Sequence, residues 1–465
     1  MMQTKRKQML LQLYDHTGFE RKLEAMARKG WKLEQCGTFL GWKFRKIEPS
    51  ELQYKVVYFP DASEFDPAPG DRQAEFIELC EQSGWEYIDH AAQMLIFCTE
   101  REDALPIETD AMMQVETVHK AMKKNYLPGQ IGLLVLAVMQ LALLGYRLHT
   151  ELMNVLTTDA LLVSLAAYTI MAVLCGYHLC GYYLWRKKAL EAAVDGVFVE
   201  TRGNNIFEKL CLLLLLVIFG AWMVSISHDG YLTRVAITTF AAIIGVIAMV
   251  NGVKLLLQKW GFDANTNRIV TYFLIFVGTI GAVVLMTVFL IHHSYTYEEE
   301  PKAYADTYEF AGRTHYVYDD PIPLTLEMLG IEANYEHRSR CEDMTSSVLM
   351  TVYNGQEIAP WGTPVENPPE LYYTVTFPRF AGMLDACAED ILDDRRIRNL
   401  YGIPEAGDAR PWEAEEAYIH RDENGETGYY TLVYADRIVE IGFPYVPTES
   451  QIQIAVDALK NYEPN

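Results

Sequence analysis

A histidine and two cysteines lie close together in one apolar segment of this chain. Cys175, His178 and Cys180 carry the sulfur and nitrogen atoms that bind zinc or copper in proteins. Their spacing does not place all three on one face of a helix with 3.6 residues per turn. We therefore expect no metal here and interpret His178 as an intramembrane polar residue that hydrogen-bonds between helices.

Acidic pairs and a histidine pair are further candidate metal ligands. Acidic pairs occur at 319–320, 389–390 and 393–394, but none belongs to the alternating acidic loop of a calcium-binding hand. The segment RDENGETG at 421–428 is expected to form a hairpin turn. The histidines at 292–293 end an apolar segment, and we interpret them as its polar end. We predict no bound metal and no cofactor.

The sequence lacks the familiar motifs that position catalytic groups. It contains no phosphate-binding GxxxxGK[ST], no GxSxG, no HExxH, no CxxC and no GxGxxG after a predicted strand. We therefore predict that the protein is not an enzyme and assign no catalytic residue.

Charge divides the chain into three regions. The 465 residues have a formal net charge of −23. Residues 1–126 carry 17 basic and 21 acidic side chains, residues 127–291 carry 10 and 8, and residues 292–465 carry 12 and 33. The acidity therefore belongs to the carboxy-terminal region, and such an asymmetry predicts regions with different environments. We expect no nucleic-acid partner.

Five apolar segments in the middle region are long enough to cross a bilayer, which takes about 20 helical residues. The predicted membrane-spanning helices are residues 128–147, 160–184, 209–226, 232–257 and 269–291. No signal peptide is recognised before them, because the first residues lack a long apolar run and a cleavage site. We predict an integral membrane protein, with the lipid bilayer as its first partner.

Basic residues indicate how these helices are oriented, because lysine and arginine are enriched in cytoplasmic loops. Lysines precede the first segment, basic residues at 186–188 follow the second, and Lys254 and Lys259 follow the fourth. The loops after the first and third segments carry only Arg147 and Arg234. This alternation predicts a plasma-membrane protein with a cytoplasmic amino terminus and a carboxy terminus outside.

Two of the eight cysteines, Cys341 and Cys387, lie in the region expected outside the cell. A disulfide between them would close a loop of about 47 residues and stabilise the fold by roughly 4 kcal/mol on the chain-entropy model. The pairing stays open from sequence, since a reducing habitat would leave both thiols free.

Residues 1–105 repeat one strand–helix–strand–strand order. The segment KQMLLQLY is the expected first strand, and ELQYKVVYF begins the second unit. Gly30 and Gly84 follow the predicted helices, where glycine commonly closes a helix in the left-handed conformation. Trp31 and Trp85 open the next strands. We predict an α/β sandwich of two tandem βαββ units with both indole rings mainly in the core; the alternative is a pair of binding aromatics.

The same residues carry a family resemblance. The order FE-K-LE-MA-KGW-L, an aromatic strand ending in WKFRK, and EF-x-E-L-x-E-x-x-GWEY resemble the DUF2812 domain over about residues 5–105. The resemblance implies an uncharacterised bacterial membrane protein, since this domain is often fused to membrane spans and encoded beside PadR-type regulators. It supplies no catalytic residues, because the family has no established activity.

Residues 106–127 have the pattern of an amphipathic juxtamembrane linker. Met112, Val115, Val118 and Met122 lie roughly on one helical face, and basic residues are placed toward the anionic inner leaflet. We predict a connector between the first domain and the first membrane helix. A signalling helix is the alternative.

Residues 292–465 predict an acidic extracytoplasmic α+β domain. The alternating segments YYTLVY and RIVEIG predict paired strands, and PTESQIQIAVDALK predicts a terminal helix. Thr448 and Gln451 have the spacing of a capping box at its start.

Three functions fit a polytopic protein with a domain at each end. The first is a non-enzymatic sensor or regulatory adaptor that acts on an unidentified cytoplasmic protein, since the spans lack the charges of a conduit. The second is a transporter-like or export and immunity accessory protein. The third is an enzyme acting on a lipid or cell-wall substrate.

Overall fold

The protein is mixed α/β, with a sheet domain at each end of the chain and five long apolar helices between them, as predicted. Two compact units share the chain: Met1–Leu141 with Ala166–His292, and Ala142–Leu165 with His293–Asn465. The computed structural model describes residues 3–9, 12–37, 41–67, 69–91, 93–124, 126–201, 206–225, 230–296, 306–310, 313–332, 338–360, 363 and 365–463. Phe39, which shortly precedes the expected aromatic strand WKFRK, and the side chains of His292 and His293 lie outside the described residues.

The first βαββ unit forms a three-stranded antiparallel sheet. Its elements are β1 (Thr4–Lys7), α1 (His16–Ala27), β2 (Trp31–Gln35) and β3 (Trp42–Lys46), and the strand order is β1-β3-β2. β1 ends where the predicted strand KQMLLQLY was to begin. The described residues between Lys7 and Asp15 are not in a strand, and Asp15 caps the start of α1, where its carboxylate accepts a hydrogen bond from the Gly18 N–H at 3.2 Å.

The second unit repeats the order as a separate sheet. Its elements are β4 (Gln53–Tyr58), α2 (Asp71–Gln82), β5 (Glu86–Ala91) and β6 (Met94–Thr99), with the strand order β4-β6-β5. The two predicted βαββ units therefore form two separate three-stranded sheets. Side chains connect β2 to β5, since Lys32 Nζ lies 2.5 Å from a Glu86 carboxylate oxygen.

The glycines and tryptophans of the two units occupy equivalent places in the chain but different surroundings. Gly30 has φ +77° and Gly84 has φ +97°, both left-handed. Trp85 is buried and its Nε1 donates to the Leu105 carbonyl at 2.8 Å. Trp31 is half-buried and packs against the core cluster that contains α1, and Lys5 Nζ lies 3.8 Å from its ring centroid.

Residues predicted as a linker form a helix inside the core. α3 (Ala111–Lys124) buries Val115, Val118 and Met122, which contact residues of α1, β3 and β4 in one apolar cluster. The predicted apolar face is therefore largely the observed one. This apolar face of α3 packs against the amino-terminal core, so α3 is part of the amino-terminal domain.

The middle of the chain holds five helices long and apolar enough to cross a membrane, together with one short helix that was not predicted. They are α4 (Tyr126–Thr150), the short α5 (Leu152–Thr157), α6 (Asp159–Ala193), α7 (Ile206–Ser225), α8 (Gly230–Lys259) and α9 (Ala264–Thr296). Most of the observed helices extend past the predicted segments at both ends, and α6 and α9 do so most, because polar residues continue a helix beyond its apolar part.

The carboxy-terminal domain is built on one seven-stranded antiparallel sheet and a separate hairpin. The hairpin strands are β7 (Asp306–Phe310) and β8 (Arg313–Val317). The remaining elements are β9 (Ser339–Ser346), β10 (Met350–Ile358), β11 (Leu371–Pro378), α10 (Leu384–Arg398), β12 (Ile403–Ala406), β13 (Glu416–Asp422), β14 (Gly425–Val433), β15 (Ile438–Gly442) and α11 (Glu449–Leu459). The sheet order is β12-β13-β14-β15-β11-β10-β9.

Strand alternation gives this sheet two apolar faces. Val439 and Ile441 of β15 lie in the cluster that includes Val456 of α11. Ile438 lies in the other cluster, which includes Ile391 of α10. α11 begins with the predicted capping box at Thr448.

The candidate disulfide is absent, because Cys341 and Cys387 are both free thiols. Cys387 is completely buried in the α10 cluster, where burial raises its pKa to about 11. Cys341 lies on the edge strand β9 with its sulfur 3.5 Å from the Ser339 hydroxyl. They thus occupy different parts of the sheet domain.

Candidate functional site

The last turns of α6 are part of the amino-terminal core. Tyr182, Trp185 and Ala189 lie three or four residues apart on one helical face and are buried in the cluster that contains α1 and α3. The Tyr182 hydroxyl lies 2.7 Å from His119 Nδ1 of α3. The same helix that is apolar enough to cross a membrane therefore also forms one wall of the amino-terminal domain.

His178 lies one turn before this wall, in a polar cluster that joins the domain to three long helices. We call the side chains of Gln12, Tyr126, Gln130, His178 and Glu208 the Gln12 cluster. Gln12 Nε2 donates to Glu208 Oε1 at 3.0 Å, and the Tyr126 hydroxyl donates to Gln12 Oε1 at 2.8 Å. His178 Nε2 lies 2.9 Å from Gln12 Nε2 and 3.3 Å from Glu208 Oε1.

The Gln12 cluster attaches the amino-terminal domain to α4, α6 and α7 through hydrogen bonds. His178 and Glu208 side chains are only 13% and 18% exposed, so each needs a protein partner. His178 Nδ1 lies 3.3 Å from Gln130 Oε1, which completes the contacts of the ring. The His178 imidazole and the Glu208 carboxylate thus contact each other, and both contact the Gln12 amide. His178 was expected to hydrogen-bond between helices, and it does contact Gln130 of α4. Its contact with Gln12 of the amino-terminal domain could not be predicted from sequence spacing.

A second set of hydrogen bonds attaches α1 to the segment after α6. Thr17 Oγ1 lies 2.6 Å from Thr201 Oγ1 and accepts from the Thr201 N–H at 2.8 Å. Arg21 donates to the Thr201 carbonyl at 2.8 Å and pairs with Glu200 at 2.8 Å. Thr201 is 1% exposed, so this segment is fixed on α1.

A third attachment joins the loop after β4 to α8 and α9. Lys254 Nζ lies 2.6 Å from a Glu64 carboxylate oxygen, and Gln258 Nε2 donates to the Glu64 carbonyl at 2.8 Å. Asn267 is completely buried and donates to the Phe65 carbonyl at 3.2 Å. Hydrogen bonds made by a buried side-chain amide are costly to break, because the buried polar group then has neither a protein partner nor water.

The carboxy-terminal unit has its own attachment to the connection between α4 and α6. Asp390 of α10 accepts from the N–H groups of Leu152 and Met153 at 3.3 and 3.0 Å, at the start of α5. Leu156 of α5 is buried in the α10 cluster. Asp159, the first residue of α6, accepts from the Val348 N–H at 3.1 Å.

The acidic pairs considered as metal ligands make protein contacts. Asp390 caps α5, Asp393 and Asp394 form ion pairs with Arg396 and Arg398, and Asp319 pairs with Arg340. Among the residues that the structure describes, no group of three or more histidine, cysteine or acidic side chains could hold a metal ion.

Two buried groups beside these attachments have shifted pKa values. Burial lowers the pKa of His16 to about 4, so this ring is neutral at pH 7. Burial also raises the pKa of Asp15, whereas hydrogen bonds from Thr201 and Gly18 oppose the shift. These groups lie beside Thr17 at the start of α1.

Sequence reasoning found His178 and the apolar face of α3 but not the partners of either. Gln12, Thr17, Thr201 and Asp390 are single polar residues in segments without a motif. One sequence feature could have indicated the α5 contact. The short loop LMNVLT between two predicted spans contains apolar residues that need a buried partner.

Comparison with known proteins identifies one part of the chain. Residues 16–128 match the family model described as Protein of unknown function (DUF2812). The match runs through α3 and into the first residues of α4. No curated protein and no solved structure matches the chain.

Proposed function

Because the chain is a DUF2812-domain-containing protein with five apolar helices, we propose that it is a non-enzymatic membrane sensor or regulatory adaptor. In this proposal, the carboxy-terminal domain lies outside the cell and responds to an event there. The amino-terminal domain lies in the cytoplasm and acts on a protein partner. The connection α4–α5–α6 carries the change between them.

The observation that carries this proposal is the attachment of α6 at both of its ends. Its first residue, Asp159, accepts a hydrogen bond from Val348 of the carboxy-terminal domain. Its last turns contribute Tyr182 and Trp185 to the amino-terminal core. At 35 residues, α6 has about 15 more than a bilayer crossing requires. A displacement at one end of a continuous helix is transmitted along it, since its backbone hydrogen bonds resist local deformation.

The proposed sidedness follows from the number of helices and the positions of basic residues. Five crossings put the two chain ends on opposite sides of a membrane. Lys187 and Lys188 lie in the last turns of α6, and Lys254 and Lys259 lie in the last turns of α8. The preference of such residues for the cytoplasmic side supports a cytoplasmic amino terminus.

The contacts of His178 favour this function over transport. A transport pathway would use the histidine as a binding or relay group open to the substrate. Here His178 contacts Gln12 and Glu208, which attach the domain to the helices. The proposal therefore assigns this residue to coupling.

Removal of the α5 cap tests the proposal. We expect Asp390→Ala to loosen α5 and to raise hydrogen exchange severalfold in α1 and α3 of the full-length protein in nanodiscs, because the attached α6 transmits the change. Hydrogen exchange with mass spectrometry reads both domains separately.

The matched control is Asp394→Ala, also on α10, which removes an ion pair between largely exposed side chains. It should leave exchange in α1 and α3 unchanged. The proposal would be wrong if Asp390→Ala raised exchange in α5 and left the amino-terminal domain as in the wild type.

A further inference from the structure

We propose that the amino-terminal unit binds an anionic phospholipid, with its phosphate headgroup in a polar cavity beside α8 and an acyl chain in the groove between α8 and α9. This inference does not depend on the sensor function proposed above. It rests on the shape, polarity and continuity of two neighbouring cavities.

The polar cavity has a volume of about 500 Å³ and lies between the first sheet and the last turns of α8. Three cationic side chains line it: Arg6 of β1, Lys43 of β3 and Lys254 of α8. The amide of Gln35 adds a neutral donor. Cations together with amide donors form the surroundings that a phosphate group requires.

Charge within this cavity favours an anion. Lys254 is neutralised by Glu64 at 2.6 Å and Lys43 by Glu34 at 3.0 Å. Arg6 is exposed and forms no ion pair among the residues that the structure describes. Its planar guanidinium can donate two parallel hydrogen bonds to a phosphate, a geometry that lysine does not supply. Arg6 is therefore the expected anchor of the headgroup.

The groove between α8 and α9 is almost entirely apolar. It has a volume of about 530 Å³, and its wall includes Ile243, Ile247, Ile275 and Val283. Small side chains keep it open, namely Ala242 on α8 and Ala282 on α9. A groove of this composition on helices that cross a membrane suits a hydrocarbon chain.

Asn251 lines both the groove and the polar cavity, so the two are neighbours. On α8, Ile243, Ile247, Asn251 and Lys254 follow one another at intervals of four, four and three residues, which keeps them on one helical face. This face is apolar first and becomes polar after Ile247. A ligand that fills both spaces must itself be apolar at one end and anionic at the other.

The position along α8 fits the depth of a headgroup. Lys254 comes five residues before the last residue of α8, Lys259, and Trp260 follows with 67% of its surface exposed. Lysine and tryptophan are common at the boundary between hydrocarbon and headgroups. A lipid in the leaflet at this end of α8 can therefore enter from the side without leaving the bilayer.

Lipid binding by the full-length protein in detergent tests this inference. The probes are dioleoylphosphatidylglycerol and dioleoylphosphatidylcholine, and bound lipid is counted by native mass spectrometry. We expect the anionic lipid to bind at least fivefold more tightly than the zwitterionic one. The double variant Arg6→Gln/Lys43→Gln should remove this preference, because both cations face the headgroup.

The matched control is Arg28→Gln/Lys29→Gln, which removes the same charge from exposed positions after α1 that do not line the cavity. It should keep the preference. A second variant, Ala242→Leu/Ala282→Leu, narrows the groove and should weaken binding of both lipids at least fivefold. Its control is Ala248→Leu, an exposed position of α8 outside the groove.

Three results would overturn the inference. They are equal binding of the two lipids, retention of the preference in Arg6→Gln/Lys43→Gln, and binding unaffected by Ala242→Leu/Ala282→Leu. Water-soluble glycerol 3-phosphate is the remaining probe. If it bound as tightly as the anionic lipid, the ligand would be a free phosphate compound and the lipid assignment would be wrong.

Discussion

At the residue scale, Gly30 shows how one position can close a helix and direct the strand after it. Its φ of +77° is costly for any residue with a Cβ atom, and a Cβ here would lie 2.8 Å from the Ile47 carbonyl oxygen. We expect Gly30→Ala to destabilise the amino-terminal domain by at least about 1 kcal/mol. Gly70→Ala is the control, because no atom lies within 4 Å of its Cβ. Thermal unfolding compares them, and equal midpoints would contradict the argument.

His16 makes the stability of the same domain depend on pH. Its pKa falls from 6.5 to about 4 on burial, so the contribution of the neutral ring is complete above pH 6.5 and is lost as the pH falls toward 4. The free energy of unfolding should decrease by about 1.4 kcal/mol per pH unit in this window. Unfolding midpoints measured from pH 7.5 to 5 should therefore depend less on pH in His16→Gln. The exposed variant His149→Gln should behave as the wild type, and a parallel loss of dependence there would exclude His16 as the cause.

At the element scale, α3 decides where the amino-terminal domain ends. Its apolar face was visible in the sequence, but a membrane surface and a protein core demand the same pattern of apolar residues. The structure distinguishes the two, since Val118 and Met122 lie in one buried cluster with residues of α1 and β4. The boundary between domain and linker therefore depends on contacts distant in sequence.

Two methionines on α3 test its place in the core. Met122 is completely buried, whereas Met113 is 67% exposed on the same helix. Met122→Ala should lower the free energy of unfolding by about 3 kcal/mol, because it removes packed atoms and leaves a cavity. Met113→Ala should change it by less than about 0.5 kcal/mol. Similar losses in the two variants would mean that α3 does not pack as described.

At the scale of the whole molecule, the proposed function depends on which side of the membrane each domain occupies. Reporter fusions determine the side of the membrane on which each domain lies. A fusion truncated after Gly196 should be active only for a reporter that works in the cytoplasm. A fusion to the end of the chain at Asn465 should be active only for a reporter that folds outside. The opposite pair of results would reverse the topology, and equal results would contradict five crossings.

Much of the architecture could be predicted because it depends on local pattern. The tandem strand–helix–strand–strand order, the helix ends at Gly30 and Gly84, and the apolar helices all follow from residue spacing within about 30 positions. The partners of Gln12, Thr17 and Asp390 could not be predicted. Each lies at least 114 residues from the groups that it contacts, and the identity of a single polar side chain does not indicate which distant group it will contact.

The sequence by itself determined the membrane character, the repeated amino-terminal units and the acidic carboxy-terminal domain, because composition and period act locally. Only the tertiary structure decided that the two units form separate sheets, that α6 continues into the amino-terminal core, and that α5 packs on α10. It also showed that Cys341 and Cys387 do not pair. Long-range packing decides these features, since the same apolar helix face can contact lipid, another helix or a sheet.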